Sequence, residues 1–328
     1  MKWVARGALR VKAALAATAA IALAGGAAAQ GASAKPTRLV VPFPPGAGTD
    51  VVARAVAAKM AESLGPIIVE NRTGAGGALG TESVARAEPD GFTVLFVASP
   101  FTTVAASSAK PTYDPVGQFG AVSLIATGPL VFVCSPDLAA RSMRELIALA
   151  RAKPGLLNYA SAGSGGVNHL ALELLRVRTG VDIVHIPYRG IGPALVDLLG
   201  GSVQTLTATI PAVVPHIRQG KLRALAVTGA RRAAQLPNVP TMAEEGVARF
   251  EVLNYWGIVA PNATPPARVQ RIHAAVVQAF QAADLRERLA NEGVDLRIEG
   301  PERFGAFLAA DLSAWQALVA KAGVRVEY

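Results

Sequence analysis

The strongest constraint on this chain is an alternation that starts at Arg38. Short runs rich in Val, Ile and Leu alternate with stretches of helical periodicity, and glycine-rich segments mark several changeovers. Arg38–Val41, Ile67–Glu70 and Phe92–Ala98 read as strands. Thr49–Leu64 reads as a helix with Thr49 or Asp50 as N-cap and Gly65-Pro66 as its stop, and Thr81–Ala87 as a short one. Ala121–Ile125 and Leu130–Cys134 add two strands. Ser142-Met-Arg-Glu145 is a capping box that opens a helix to about Lys153. Asn158–Ala160, Asp182–Ile186, Val203–Thr207 and Leu222–Val227 follow as strands, with helices at Asn168–Thr179, Pro193–Leu199 and Pro211–Gln219 between them. A second capping box, Thr241-Met-Ala-Glu244, precedes a strand at Leu253–Ala260. Thr264 then caps a helix, and Pro301–Ala322 is a last long one. This alternation predicts an α/β fold with largely parallel sheets. Roughly ten strands are many for one sheet, so two are expected. No Pro/Ser linker divides the chain, which predicts two lobes joined by crossing strands.

Composition narrows the function. Hydrophobic residues make up 52% of the 328 and charged residues 17%, which excludes a disordered chain. The single cysteine, Cys134, excludes an intramolecular disulfide framework, an iron–sulfur cluster and a Cys-based zinc site. The net charge of +9 invites a nucleic-acid reading, but residues 1–34 hold Lys2, Arg6, Arg10 and Lys12 and no acid. The remaining 28 basic and 23 acidic residues are scattered, with no basic run longer than Arg231-Arg232. That distribution speaks against a nucleic-acid partner.

The same basic start leads into an apolar run, Ala13–Ala24, and then small residues with Ala-x-Ala sites ending at Ala29 and Ala34. This is the secretory pattern. The run is shorter than the roughly 20 residues a membrane span requires. The expectation is a signal peptide over 1–34 and a mature protein in the periplasm.

Catalytic and metal motifs are missing as a group. His169, His185, His216 and His273 show no metal-ligand spacing, and neither a Gly-x-Ser-x-Gly elbow nor a Walker A loop occurs. Gly46-Ala-Gly48 and Gly74-Ala-Gly76-Gly77 lack the third glycine of a dinucleotide loop, where Val51 and Leu79 stand. No metal, cofactor or catalytic residue is predicted. Two polar, glycine-rich loops remain, each running from strand to helix. The first is Pro42–Asp50 and the second Tyr159–His169. Glycine lets a backbone approach a ligand, and a helix start offers unpaired N–H groups at the positive end of its dipole. Two such loops, one on each lobe, can hold a small anion.

The motifs Val41-Pro-Phe-Pro-Pro-Gly-Ala-Gly-Thr-Asp50, Val69-Glu-Asn-Arg-Thr-Gly-Ala-Gly-Gly77, Asn158-Tyr-Ala-Ser-Ala-Gly163 and His185-Ile-Pro-Tyr-Arg-Gly190 stand in this order. With Pro215–Val227 they resemble the Bug-type extracytoplasmic solute receptors, the binding proteins of tripartite tricarboxylate transporters. The resemblance spans the mature chain. It implies a type II periplasmic-binding-protein fold: two α/β lobes, 36–133 plus 257–328 and 134–256, around a ligand cleft and joined by crossing strands. It also implies a small carboxylate ligand and the membrane permease subunits of such a transporter as partners, with the receptor a monomer. By position, Phe43, Pro44, Gly46, Gly48, Thr49 and Asp50 are the ligand-binding candidates of the first lobe. Ser161, Gly163, Ser164, Asn168 and His169 are those of the second, with Ser99, Tyr188, Thr207 and Thr209 as further candidates. Arg72 reads as structural, its fork tying its loop to nearby carbonyls. Where many relatives carry Asp before the Leu-Pro that opens a helix, this chain has Ala208, which removes a partner for a ligand amine. Two alternatives stay open: a ligand-loaded sensor partner of a membrane histidine kinase, and a secreted hydrolase for which His169 with Asp50 is the one titratable pair in view.

Overall fold

The computed structural model describes residues 35–291 and 293–326. The expected signal peptide, 1–34, lies outside them. Ten strands and ten α-helices are formed among the described residues. The chain enters through β1 (Thr37–Val41), α1 (Gly48–Leu64), β2 (Ile67–Asn71), α2 (Ala78–Ala85), β3 (Thr93–Ala98) and α3 (Pro100–Ser107). A strand of 16 residues, β4 (Phe119–Cys134), follows. Next come α4 (Met143–Ala152), β5 (Asn158–Ser161), α5 (Val167–Thr179), β6 (Val184–Pro187), α6 (Ile191–Leu199), β7 (Thr205–Thr209), α7 (Ile210–Arg218) and β8 (Arg223–Val227). The chain closes with β9 (Leu253–Pro261), α8 (Pro266–Ala279), α9 (Ala283–Asn291), β10 (Asp295–Glu299) and α10 (Pro301–Ala322).

The strand order is β2-β1-β3-β9-β4-β7-β5-β6, with β8 and β10 also on β4. Strand β4 therefore serves two ladders. Along Phe119–Pro129 it pairs with β9, and at Leu124–Thr127 also with β10; from Leu130 to Cys134 it pairs with β7 and, from Val131, with β8. The two separate strands expected here, Ala121–Ile125 and Leu130–Cys134, are one. Gly128-Pro129 looks like a breaker in the sequence, but it falls where one ladder hands over to the next, a place where a missing N–H costs little. Pairing is parallel only at the two ends, β2-β1-β3 and β7-β5-β6. The centre is antiparallel, so the sheet is mixed rather than largely parallel. The cause is that β4 and β9 run against their neighbours.

Both faces of both ladders are buried, and strand alternation shows it. In β3, Val94 and Phe96 join Leu39, Val41, Val56 and Ile272 in one core, whereas Leu95 and Val97 join Val40, Phe101, Tyr255 and Phe304 in another. In the second ladder Leu130 and Phe132 pack with Tyr159, Leu170 and Phe250, while Val131 and Val133 pack with Ala160, Leu206 and Ala208. Strands covered on both sides read as continuous apolar runs. Helix α10 spans two of these cores, giving Phe304 and Leu308 to one and Trp315 and Leu318 to another.

Several local expectations change. The N-cap of α1 is Ala47, not Thr49 or Asp50, and α5 begins at Val167 behind Gly166. Pro265 stands at the N-cap of α8, so Thr264 does not cap it. The box at Thr241 does close, with Thr241 N–H on Glu244 Oε2 at 2.7 Å and Glu244 N–H on Thr241 Oγ1 at 3.1 Å. No helix follows it, because Gly246 turns the chain at φ 90° after one turn. Helix α3 and strand β10 are additions. Thr102, Thr103 and Val104 disfavour a helix intrinsically, and burial against β3 and α10 overrides that preference.

Candidate ligand-binding loops

Helix starts divide into two kinds. Helix α4 is closed by its own sequence: Ser142 Oγ accepts Glu145 N–H at 3.2 Å, and Glu145 Oε2 accepts Arg141 N–H at 2.7 Å. Most other helix starts have no side-chain cap, among them α1 and α5, which the two glycine loops open, and α7 behind Thr209. Their first N–H groups are thus left for a ligand or solvent.

The first loop is held from below by Asp50, which is buried in the first turn of α1. Asp50 Oδ2 accepts Gly46 N–H at 2.8 Å, Oδ1 accepts Asn71 Nδ2 at 2.7 Å, and Arg54 Nε reaches both oxygens at 3.1 and 2.9 Å. Asn71 at the end of β2 also donates to the Phe43 carbonyl at 3.0 Å, and Arg54 Nη2 reaches Asn71 Oδ1 at 2.7 Å. Burial by itself raises the Asp50 pKa, but the bonds from Arg54, Asn71 and Gly46 outweigh it and hold the carboxyl below its ordinary value. Pro44, Gly46 and Gly48 stand exposed above this clamp, with Thr49 half-buried. The Phe43 ring lies against Gly77, whose φ of 101° and missing side chain admit it. A Cβ built on Gly48 meets nothing within 4 Å. Arg72 Nε grips Glu70 Oε1 at 2.5 Å in place of the expected carbonyls.

The second loop is tied to three strands. Ser161, buried at the end of β5, has its Oγ 2.6 Å from His185 Nε2 on β6 and accepts Gly163 N–H at 3.2 Å. Tyr188 N–H donates to the Ser161 carbonyl, and its hydroxyl donates to Asp197 at 2.7 Å. Asn168 Nδ2 donates to the Thr207 carbonyl at 2.5 Å, while the Asn168 carbonyl accepts Tyr159 Oη at 2.7 Å. The Thr207 side chain is buried in β7, and Ala208 beside it belongs to the hydrophobic core. His169 Nδ1 accepts Gly165 N–H at 3.0 Å. Gly163, Ser164 and Asn168 stay half-exposed.

Ser161, Gly163, Asn168, His169, Tyr188 and Thr207 thus form one bonded neighbourhood, and Phe43, Gly46 and Asp50 another. Ser99 belongs to neither by hydrogen bonding. Its Oγ donates to the Leu253 carbonyl and accepts Tyr255 N–H, both at 3.1 Å, which fixes the end of β3 on β9. Arg54, Asn71, His185 and Glu173 contact these residues and are not among the ligand-binding candidates read from the sequence. Arg54 and Glu173 carry a signal, since Asp50–Arg54 and His169–Glu173 are both i, i+4 pairs. Asn71 and His185 arrive from parallel strands; both stand in the motifs quoted above, but nothing in those motifs marks their contacts with Asp50 and Ser161. The pair His169 with Asp50 does not form: each is engaged by its own loop.

A family model described as the tripartite tricarboxylate transporter family receptor, TctC, matches residues 52–324. The chain belongs to this family. Protein BugT of Bordetella pertussis is 38% identical over 297 residues, covering 90% of this chain and 91% of that one. Among solved structures, the periplasmic binding protein BugD aligns with a TM-score of 0.80 at 34% identity, over 89% of this chain and 99% of BugD. MatC from Rhodopseudomonas palustris, with bound malate, aligns with a TM-score of 0.79 at 33% identity, over 87% and 99%. These are solute-binding proteins, so the TctC assignment replaces the hydrolase alternative and fixes the fold as that of the periplasmic binding proteins.

Proposed function

We propose that this TctC-family protein is a periplasmic receptor, exported by a signal peptide over 1–34. In this reading it captures a small organic carboxylate and delivers it to the membrane permease subunits of a tripartite tricarboxylate transporter. The observation that carries the proposal is the pair of polar, glycine-rich loops that run from a strand into α1 and into α5, each helix start without a side-chain cap. In this reading the loops face each other across a cleft between lobes 36–133 plus 257–328 and 134–256, and the receptor acts as a monomer. The ligand's carboxylate takes N–H groups from both helix starts, with Thr49, Ser164 and Thr209 hydroxyls around it. Each charge-assisted hydrogen bond contributes about 1.5–3 kcal/mol, enough in sum to outweigh ordering and closure.

The ligand lacks an amine. Asp50 has both oxygens occupied by Gly46, Asn71 and Arg54, and the position where an acid would answer an ammonium group is Ala208, buried in the core. MatC, which holds malate, agrees with an amine-free acid. The test is calorimetric titration of refolded, ligand-free mature protein against mono-, di- and tricarboxylates and the matching amino acids. Gly48→Val is the decisive variant, because a Cβ at this position meets no protein atom within 4 Å. Its melting temperature is expected to stay unchanged while affinity falls at least about tenfold, or 1.4 kcal/mol. Unchanged affinity removes the first loop from the site.

A further inference from the structure

Two imidazoles lie stacked beneath the second loop, and their bonds end on its glycines. The His169 and His185 rings are 3.9 Å apart and inclined by 9°. His169 is buried on α5, and both its ring nitrogens face protein. Nδ1 accepts Gly165 N–H at 3.0 Å, so the ring proton sits on Nε2, where Glu173 Oε1 stands 3.6 Å away. Glu173 is itself buried and held by Arg176 Nη1 at 3.0 and 3.3 Å. On the other ring, His185 Nε2 meets Ser161 Oγ at 2.6 Å, and that hydroxyl accepts Gly163 N–H at 3.2 Å. The two chains of contacts therefore run Arg176–Glu173–His169–Gly165 and His185–Ser161–Gly163. Both end on glycines in the left-handed region, Gly163 at φ 140° and Gly165 at φ 73°.

We infer that Glu173 and His185 are positioning residues for the ligand loop, and that His169 shapes the loop from below instead of touching the ligand. Glu173 selects the tautomer of His169, and that tautomer's bare Nδ1 holds Gly165 N–H inward. His185 supports the same ring by stacking and holds Ser161, whose hydroxyl draws Gly163 N–H inward as well. With these two amides committed to the protein, the loop has one way to present the amides at the start of α5. Burial first, and then the neighbouring His169, push the His185 pKa down to about 4, which keeps the stack free of repulsion between two charged rings. This inference rests on the reading that the second loop binds the carboxylate.

The test combines ligand titration with imidazole nitrogen NMR of the ligand-free protein, using malate as the probe. In the parent protein, His169 is expected as the Nε2–H tautomer before malate is added. Glu173→Leu should mix the two tautomers and weaken malate at least tenfold. Glu173→Gln keeps an acceptor opposite Nε2–H and should restore affinity to within about threefold of the parent. An Nδ1–H tautomer in the parent protein overturns the inference, and so does parental affinity in a folded Glu173→Leu. If Glu173→Leu does not fold, loss of affinity in a folded Glu173→Gln together with an unchanged tautomer overturns it. If no carboxylate binds the parent protein, the receptor reading fails, while the ligand-free NMR still decides how the loop is held.

Discussion

The two glycine loops present the same backbone chemistry on opposite supports. Under the first lies a charged clamp, Asp50 with Arg54, Asn71 and Gly46, whose Arg54 side chain is 48% exposed. Under the second lies a stack of buried His169 on half-buried His185, with Ser161 Oγ bonded to one ring and Glu173 3.6 Å from the other. A carboxylate clamp is sound at any pH above its own low pKa and fails when a partner is removed. The imidazole support has the Glu173 carboxylate beside His169 and depends on an uncharged His185 ring. The comparison teaches that one kind of glycine-rich helix-opening loop can be supported in a way that is robust to pH or in a way that is sensitive to it.

Deleting the clamp should have the largest effect. Asp50→Ala takes from Arg54, Asn71 and Gly46 N–H the acceptor they share, and losing several hydrogen bonds to one charged group, with Arg54 half-exposed, should cost about 3 kcal/mol. A mere N-cap would cost about 1 kcal/mol and leave binding intact. Denaturant unfolding and malate titration of this variant should show both a large loss of stability and a loss of affinity. A loss near 1 kcal/mol with full affinity would place Asp50 outside the support of the loop.

Acid should separate the two supports next. The His185 pKa is depressed to about 4, so as pH falls below 6.5 the unfolded chain takes up the proton first. Stability from this group is complete above pH 6.5 and is lost progressively towards pH 4, to a total of roughly 3 kcal/mol. His185→Gln, which keeps a hydrogen-bonding group near Ser161 and cannot titrate, should flatten that part of the stability profile. Asp50, with its lowered pKa, should keep the first clamp ionised through the same window. If the parent and His185→Gln profiles run parallel between pH 4 and 6.5, the second support is not the pH-sensitive one.

The smallest effect is expected at the helix that needs no ligand. Ser142→Ala removes the cap of α4 and should cost about 1 kcal/mol of stability. Malate affinity should not change, because α4 closes its own N-terminus. A change in affinity there would dissolve the distinction between self-capped and ligand-capped helix starts.

The sequence by itself determined the parts of this protein that depend on local chemistry. Apolar runs and helical periodicity located most elements, and Ser142-x-x-Glu145 marked the start of α4, because propensity and capping act within a few residues. The glycines of both loops were equally legible, since a left-handed backbone such as that of Gly46 or Gly163 strongly favours glycine. Tertiary structure decided what depends on pairing at long range. Gly128-Pro129 became the interior of β4 because β9 lies alongside it, and β7 takes over at Leu130. Helix α3 formed because burial outweighed its weak local preference. Asp50 became a clamp instead of a cap because parallel pairing of β1 with β2 carries Asn71 to it across a sequence separation of 21 residues. His185 met Ser161 and His169 for the same reason, through the pairing of β5 with β6. A hydrogen-bond partner on a neighbouring strand leaves no periodic trace in the chain, because register is set by the packing of whole faces and not by the residue that uses it.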